Sequence, residues 1–205
     1  MMIIGQGLEC SFQPEISASV AKYPYFVKNA RYALNPALVR AIIHQESSGN
    51  PNAKSPVGAR GLMQIMPGTA KILKCDFNRI EEPALNIACG TKFIAALLTY
   101  TNGDLVKTIS AYNGGAHSTE KSPLLGGRIA NNKETRNYVV FVLNLFEYYQ
   151  KHSCQPSKST PVVKNNSTPS IPLESSNDSQ CVDPVSVSKK DSKTRNKSDS
   201  EVKNQ

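Results

Sequence analysis

A single, mostly helical domain is the fold class this sequence predicts, and three observations carry the prediction. Apolar residues recur at helical spacing in several long segments, Asn, Asp and Pro stand where those segments begin, and no stretch alternates apolar with polar residues as a half-buried strand would. At 205 residues the chain has room for one domain with a sizeable core. Composition changes at Lys151, beyond which Ser, Lys, Asn, Pro and Thr dominate and aromatics stop. We therefore expect an N-terminal segment over 1–13, a compact domain over 14–154 and a disordered basic tail over 155–205.

The elements follow in order. A first helix is expected between about 14 and 34, interrupted at Pro24. Asn35 and Pro36 offer an N-cap and a first helical position for a second helix, whose Leu38, Val39, Ile42 and Ile43 form an apolar stripe. Ser47, Ser48 and Gly49 break it. Pro67, Thr69 and Ala70 open a short helix to about 74, and a longer one near 83–100 carries Ile87, Phe93, Ile94, Leu97 and Leu98 on a broad buried face. Asn102 and Gly103 form a turn, Asp104 caps a helix ending at the Ala111-Tyr112-Asn113 run, and Gly114 with Gly115 stops it. The segment 114–131 reads as a glycine-rich loop whose paired glycines suit a mobile flank. A last helix spans about 132–151, with Tyr138, Phe141, Val142 and Leu145 on its apolar face.

Glu46 is the most informative residue. It continues the stripe of Ile42 and Ile43, and it sits at the C-terminal end of its helix, where the dipole disfavours negative charge. Desolvation and dipole both act to raise its pKa, and a carboxyl held protonated near neutral pH can donate a proton to a leaving oxygen, as the general acid does in glycoside cleavage. The plainer alternative is a boundary residue reaching for solvent. His44, two positions away, points elsewhere on the helix and is not expected to act with it.

Ser55 to Ala70 reads SerProValGlyAlaArgGlyLeuMetGlnIleMetProGlyThrAla. Gly58 and Gly61 suit a backbone that turns sharply and approaches another surface closely. Gln64 is one amide among apolar neighbours; it needs partners, which a sugar can supply. Met63 and Met66 are either adaptable groove lining or plain core. Asn86 reads as a residue capping backbone or fixing a neighbouring loop.

Four segments together resemble the soluble lytic transglycosylase family: GluSerSerGlyAsnProAsnAla at 46–53, the block at 55–70, AlaTyrAsnGlyGly at 111–115 and GluThrArgAsnTyrVal at 134–139. They occur in the family's order and cover roughly 26–150. The short chain is closest in shape to the small specialised members that accompany secretion and conjugation machines. The resemblance implies a lysozyme-like, mostly helical fold of the α+β superfamily, related to goose-type lysozyme, with a glycan cleft. It implies cleavage of the MurNAc-GlcNAc bond of peptidoglycan, with Glu46 as single acid and base, assistance by the 2-acetamido group, and a 1,6-anhydro product. Substrate-assisted enzymes are the exception to the two-carboxylate rule, in keeping with the lack of a second acid that stands out as nucleophile.

Residue by residue, the resemblance places Ser55, Gln64 and Met66 along the cleft and Tyr112 and Asn113 beside the acid, where the phenol orients Glu46 or the acetamido group. Glu134 matches the acid that opens the last helix, and Tyr138 lies one turn beyond. Two structural alternatives stand beside these roles: Glu134 with Asn131 fits a capping box, and Tyr138 fits core packing.

The formal net charge is +8, with 15 Lys and Arg against 10 Asp and Glu over 1–150, and 9 against 6 beyond. Spread over both parts, it suits an anionic polymer such as peptidoglycan, and the tail's interleaved acids and missing aromatics argue against a specific nucleic-acid site. No cofactor is expected. Cys10, Cys75, Cys89, Cys154 and Cys181 include no CxxC pair and no histidine at metal-ligand spacing, which argues against zinc. Pairing Cys10 with Cys154 and Cys75 with Cys89 fits an oxidising compartment, leaving Cys181 over. The first residues lack the basic and apolar regions of a signal peptide, and no run reaches the length of a membrane span. A periplasmic or cell-envelope monomer is the expectation, with a goose-type hydrolase or a non-catalytic peptidoglycan-binding assembly factor as the alternatives. Components of a secretion or conjugation apparatus are candidate partners.

Overall fold

The computed structural model describes residues 10–116, 119, 127–152 and 154. The expected tail and half of the glycine-rich loop lie outside the described residues, as does Cys181. Helices dominate: α1 Gln13–Lys22, α2 Pro36–Ser47, α3 Pro67–Ile72, α4 Pro83–Tyr100, α5 Leu105–Gly114 and α6 Lys133–Lys151, with one 3-10 turn at Phe77–Arg79.

The starts fall where sequence chemistry puts them. Asn35 accepts a hydrogen bond from Ala37 N–H ahead of Pro36, and Asp104 accepts from Lys107 N–H, each satisfying a backbone donor that the first helical turn leaves open. At α6 the cap is Asn132, whose side chain accepts from Thr135 N–H at 2.7 Å. The reciprocal box read from Asn131 and Glu134 does not form, because the helix starts one residue later and places Thr135, not Glu134, at the position the cap reaches.

The first helix ends earlier than expected, at Lys22. In its place Tyr25–Val27 (β1) pairs antiparallel with Ala30–Tyr32 (β2). Three-residue strands are too short to show alternation, which is why the periodicity gave no warning. The turn at Lys28 and Asn29 has both residues at positive φ, 47° and 66°, the geometry of a two-residue hairpin loop. Phe26 N–H bonds Thr99 Oγ1 at 3.1 Å and fixes the hairpin to the end of α4.

The core is one cluster. α2 runs through it, with Leu38, Val39, Ala41, Ile42 and Ile43 all buried, and packs chiefly on α6. Ile87, Phe93, Ile94, Leu97 and Leu98 of α4 are buried as their spacing requires, and α4 is covered by α1 and α5. On α6, Tyr138, Val142 and Leu145 face inward, whereas Phe141, expected with them, is 40% exposed. It stands about sixty degrees round the helix from Tyr138, past the edge of the packed stripe.

Two disulfides close the domain: Cys10–Cys154 and Cys75–Cys89. The first joins the chain before α1 to the chain after α6, above Arg40, which donates to Cys154 Sγ and Gln13 Oε1. Both pairings are those the sequence suggested. No described helix is long and apolar enough to cross a membrane, and no group of metal-ligating side chains forms among the described residues.

Candidate active site

Three elements bring the site together. α2 ends at Ser47 because Ser48 takes the left-handed conformation, φ 51°, and returns its N–H to His44 O. Ser47 Oγ donates to Leu62 O at 2.8 Å, joining this helix end to the following loop. Glu46 is thereby held half-buried at the C-terminal end of α2. From α6, Tyr138 Oη donates to Glu46 Oε1 at 2.7 Å. From α5, Tyr112 donates instead to Met63 O, at 2.9 Å.

Both tyrosines are buried, Tyr112 5% and Tyr138 6% exposed. Burial, reinforced by the negative charge of Glu46, pushes both phenols well above their ordinary value of 10.0. Each remains a neutral donor at any physiological pH. His44 points away, sharing a hydrogen bond between Nδ1 and Tyr149 Oη at 2.8 Å, and burial lowers its pKa below 6.5.

The loop from Gly49 to Met66 is held mainly by its own backbone. Arg60 and Ile65 exchange two hydrogen bonds, Gly61 N–H bonds Ala53 O, and Ser55 N–H bonds Ala59 O. Ser55 Oγ accepts from Ala59 N–H at 2.9 Å, a bond that leaves the hydroxyl its own proton to donate. Gln64 sits at positive φ, 47°, and its Nε2 donates to Ala53 O and Gly61 O. The chain itself therefore supplies the partners that a sugar was expected to provide for that amide nitrogen. Met63 is wholly buried and belongs to the core, while Met66 is half-buried at the start of α3.

Asn113 Oδ1 accepts from Thr135 Oγ1 at 2.7 Å, joining α5 to α6 one turn before Tyr138. Glu134 is exposed at the first turn of α6. The structure thus sets Glu46, Tyr112 and Tyr138 in one cluster, with Asn113 beside it through Thr135. Ser55, Gln64 and Met66 lie along the adjoining loop. Sequence reasoning missed Thr135 and the Met63 carbonyl. Nothing in a sequence marks a backbone oxygen as an acceptor, and Thr135 becomes visible only once Asn132 is known to be the cap.

Comparison with known proteins identifies the family. The transglycosylase SLT domain family matches residues 24–135. The transglycosylase of Enterobacteria phage PRD1 is 37% identical over 107 residues, which is 51% of this chain and 39% of the phage protein. The soluble lytic murein transglycosylase of Escherichia coli K12 is 36% identical over 129 residues, 54% of this chain and 20% of that one. Among solved structures, an inactive Glu-to-Gln mutant of the lytic transglycosylase Slt from Pseudomonas aeruginosa superposes with a TM-score of 0.59 at 25% identity, over 69% of this chain and 24% of that chain. The chain thus spans about two fifths of one curated relative and a fifth of the other. On the family match, which covers more than half of its length, this chain belongs to the transglycosylase SLT domain family.

Proposed function

We propose that the protein is a peptidoglycan lytic transglycosylase that cleaves the β-1,4 bond between MurNAc and GlcNAc, with Glu46 as its acid and base. The observation that carries this reading is the Glu46 carboxyl, half-buried at a helix C-terminus, with Tyr138 donating to Oε1 at 2.7 Å and the buried Tyr112 within range of its charge. That arrangement holds one partly desolvated carboxyl by a hydrogen bond at a helix end, which is what a general acid requires. The family relationship supports the reaction class. Inactivity of the Pseudomonas neighbour as a Glu-to-Gln mutant supports a single essential glutamate.

In this mechanism protonated Glu46 gives its proton to the glycosidic oxygen as the bond to the MurNAc anomeric carbon breaks. The 2-acetamido oxygen stabilises the developing positive charge at that carbon. Glu46, now a carboxylate, takes the proton of the MurNAc 6-hydroxyl while its oxygen closes on the anomeric carbon, giving 1,6-anhydro-MurNAc and restoring the acid. Ser55, Gln64, Met66, Tyr112, Asn113, Glu134 and Tyr138 make up the glycan-binding cleft. The substrate lies in the bacterial envelope, so the protein acts there as a monomer, opening the wall locally for an envelope-spanning machine.

Digestion of purified peptidoglycan by the wild-type protein and Glu46→Gln, read by mass spectrometry, tests this. Anhydro-muropeptides from wild type and none from the variant are expected. Reducing-end products would make the protein a hydrolase, and no soluble product from the wild type would leave a binding or assembly role.

A further inference from the structure

Asn86, in the first turn of α4, has no part in the chemistry above, yet it is wholly buried. Its side chain is bound three ways. Oδ1 accepts from Met63 N–H at 2.7 Å, and Nδ2 donates to Arg60 O at 3.0 Å and to Ile80 O at 2.7 Å. The amide fills the space that any side chain at residue 61 would need: a Cβ on Gly61 would lie 2.1 Å from Asn86 Nδ2. One turn along the same helix, Gly90 offers bare backbone to the Met63 side chain, and a Cβ there would lie 2.3 Å from Met63 Sδ. Met63 is therefore clamped twice from α4, by its N–H and by its side chain. What it presents to the site is its carbonyl, which accepts the Tyr112 proton at 2.9 Å.

We propose that Asn86 is a positioning residue which, through the Met63 carbonyl, keeps the Tyr112 phenol proton off Glu46 and so limits the phenol donors that reach the acid. This inference rests on reading Glu46 as the general acid. A phenol has one proton to donate. Tyr138 commits its proton to Glu46 and Tyr112 commits its own to Met63. Turned toward Glu46, the Tyr112 proton would stabilise the carboxylate and lower the pH up to which the carboxyl can act as an acid.

Several titratable and charged groups on the neighbouring elements already have partners of their own. Tyr112 from α5 and Tyr138 from α6 both feel its charge. From α2 itself, His44 turns to Tyr149. Of the adjoining loop, Lys54 and Arg60 pair with Glu81, and on α4 Lys92 donates to Leu73 O. Glu134, one turn before Tyr138, is exposed.

The test is the pH dependence of kcat for wild type, Asn86→Ala, Asn86→Ala/Tyr112→Phe and Gly90→Ala, beside an NMR titration of the Glu46 side-chain carboxyl in each. In Asn86→Ala the alkaline limb and the Glu46 titration should both move down by about one pH unit. Adding Tyr112→Phe should return both to wild type. Gly90→Ala, which leaves the Asn86 amide in place and displaces Met63 from the other side, should move them the same way and keeps the proposal falsifiable if Asn86→Ala does not fold. An unmoved titration in both single variants, or a shift that survives Tyr112→Phe, overturns the proposal. Because the carboxyl titration needs no turnover, it reads the placement of the Tyr112 proton even if the wild type releases no muropeptides, an outcome that would sink the catalytic reading alone.

Discussion

Tyr138 Oη donates to Glu46 Oε1 at 2.7 Å across 92 positions of sequence, joining the start of α6 to the end of α2. The pair places a neutral phenol, itself buried, against the carboxyl proposed to do the chemistry. A hydrogen bond to a charged group is worth about 1.5–3 kcal/mol, so this single contact has leverage on both the rotamer and the ionisation of the acid.

Removing that donor as Tyr138→Phe should lower kcat by about ten- to a hundredfold, in proportion to the bond lost. The alkaline limb of the pH profile should move to higher pH, since the carboxylate loses a donor that stabilises it. Steady-state turnover of peptidoglycan across pH checks both. An unchanged limb would mean that Tyr138 serves packing alone.

Gly61 stands at φ 78° with Asn86 directly over its missing side chain. Gly61→Ala should destabilise the domain by about 2–4 kcal/mol, from backbone strain together with overpacking against the Asn86 amide. Gly58 also has positive φ, 91°, but nothing stands within 4 Å of its Cβ position. Gly58→Ala should therefore cost only the strain, about 1 kcal/mol. Urea midpoints of the two variants separate the effects, and equal losses would refute the account of Gly61.

His44 predicts an acid sensitivity distinct from that of the carboxylates. Burial lowers its pKa below 6.5, so between the folded and unfolded values the unfolded chain binds more protons. Its contribution to stability is complete above pH 6.5 and declines as pH falls through the folded value. Thermal midpoints of the wild type should drop through this window, and His44→Gln should flatten the drop. An identical pH profile for the variant would assign the effect elsewhere.

The disulfides should contribute unequally. Cys10–Cys154 spans 144 positions and Cys75–Cys89 spans 14. On the chain-entropy argument the longer loop is worth about 5 kcal/mol and the shorter about 3 kcal/mol. Denaturant unfolding of Cys10→Ser/Cys154→Ser and Cys75→Ser/Cys89→Ser measures each, and a larger loss from the short loop would show that native packing, not chain entropy, sets their worth.

Much of the helical frame was legible because its signals are local. Asn35 with Pro36, Asp104 and Pro83 each satisfy or relieve backbone donors within one turn, and the starts of α2, α5 and α4 follow. The β1–β2 hairpin was not legible, since two three-residue strands carry no measurable period and only Thr99, far along the chain, fixes Phe26 in place. Phe141 was misjudged for a related reason. The width of a buried stripe depends on how closely α2 and α5 approach α6, which periodicity does not contain.

The sequence by itself determined where the proposed acid stands and what surrounds it locally: Glu46 on an apolar stripe at a helix end, the glycines of the following loop, and the family to which the four ordered segments point. Tertiary structure alone decided how the protons are shared. It sent the Tyr112 proton to Met63 O and the Tyr138 proton to Glu46, and it gave Asn86 the task of holding Met63. The physical reason is that hydrogen bonds are directional and short in range, so which donor meets which acceptor is fixed by ångström-scale placement of helices that lie far apart in the chain.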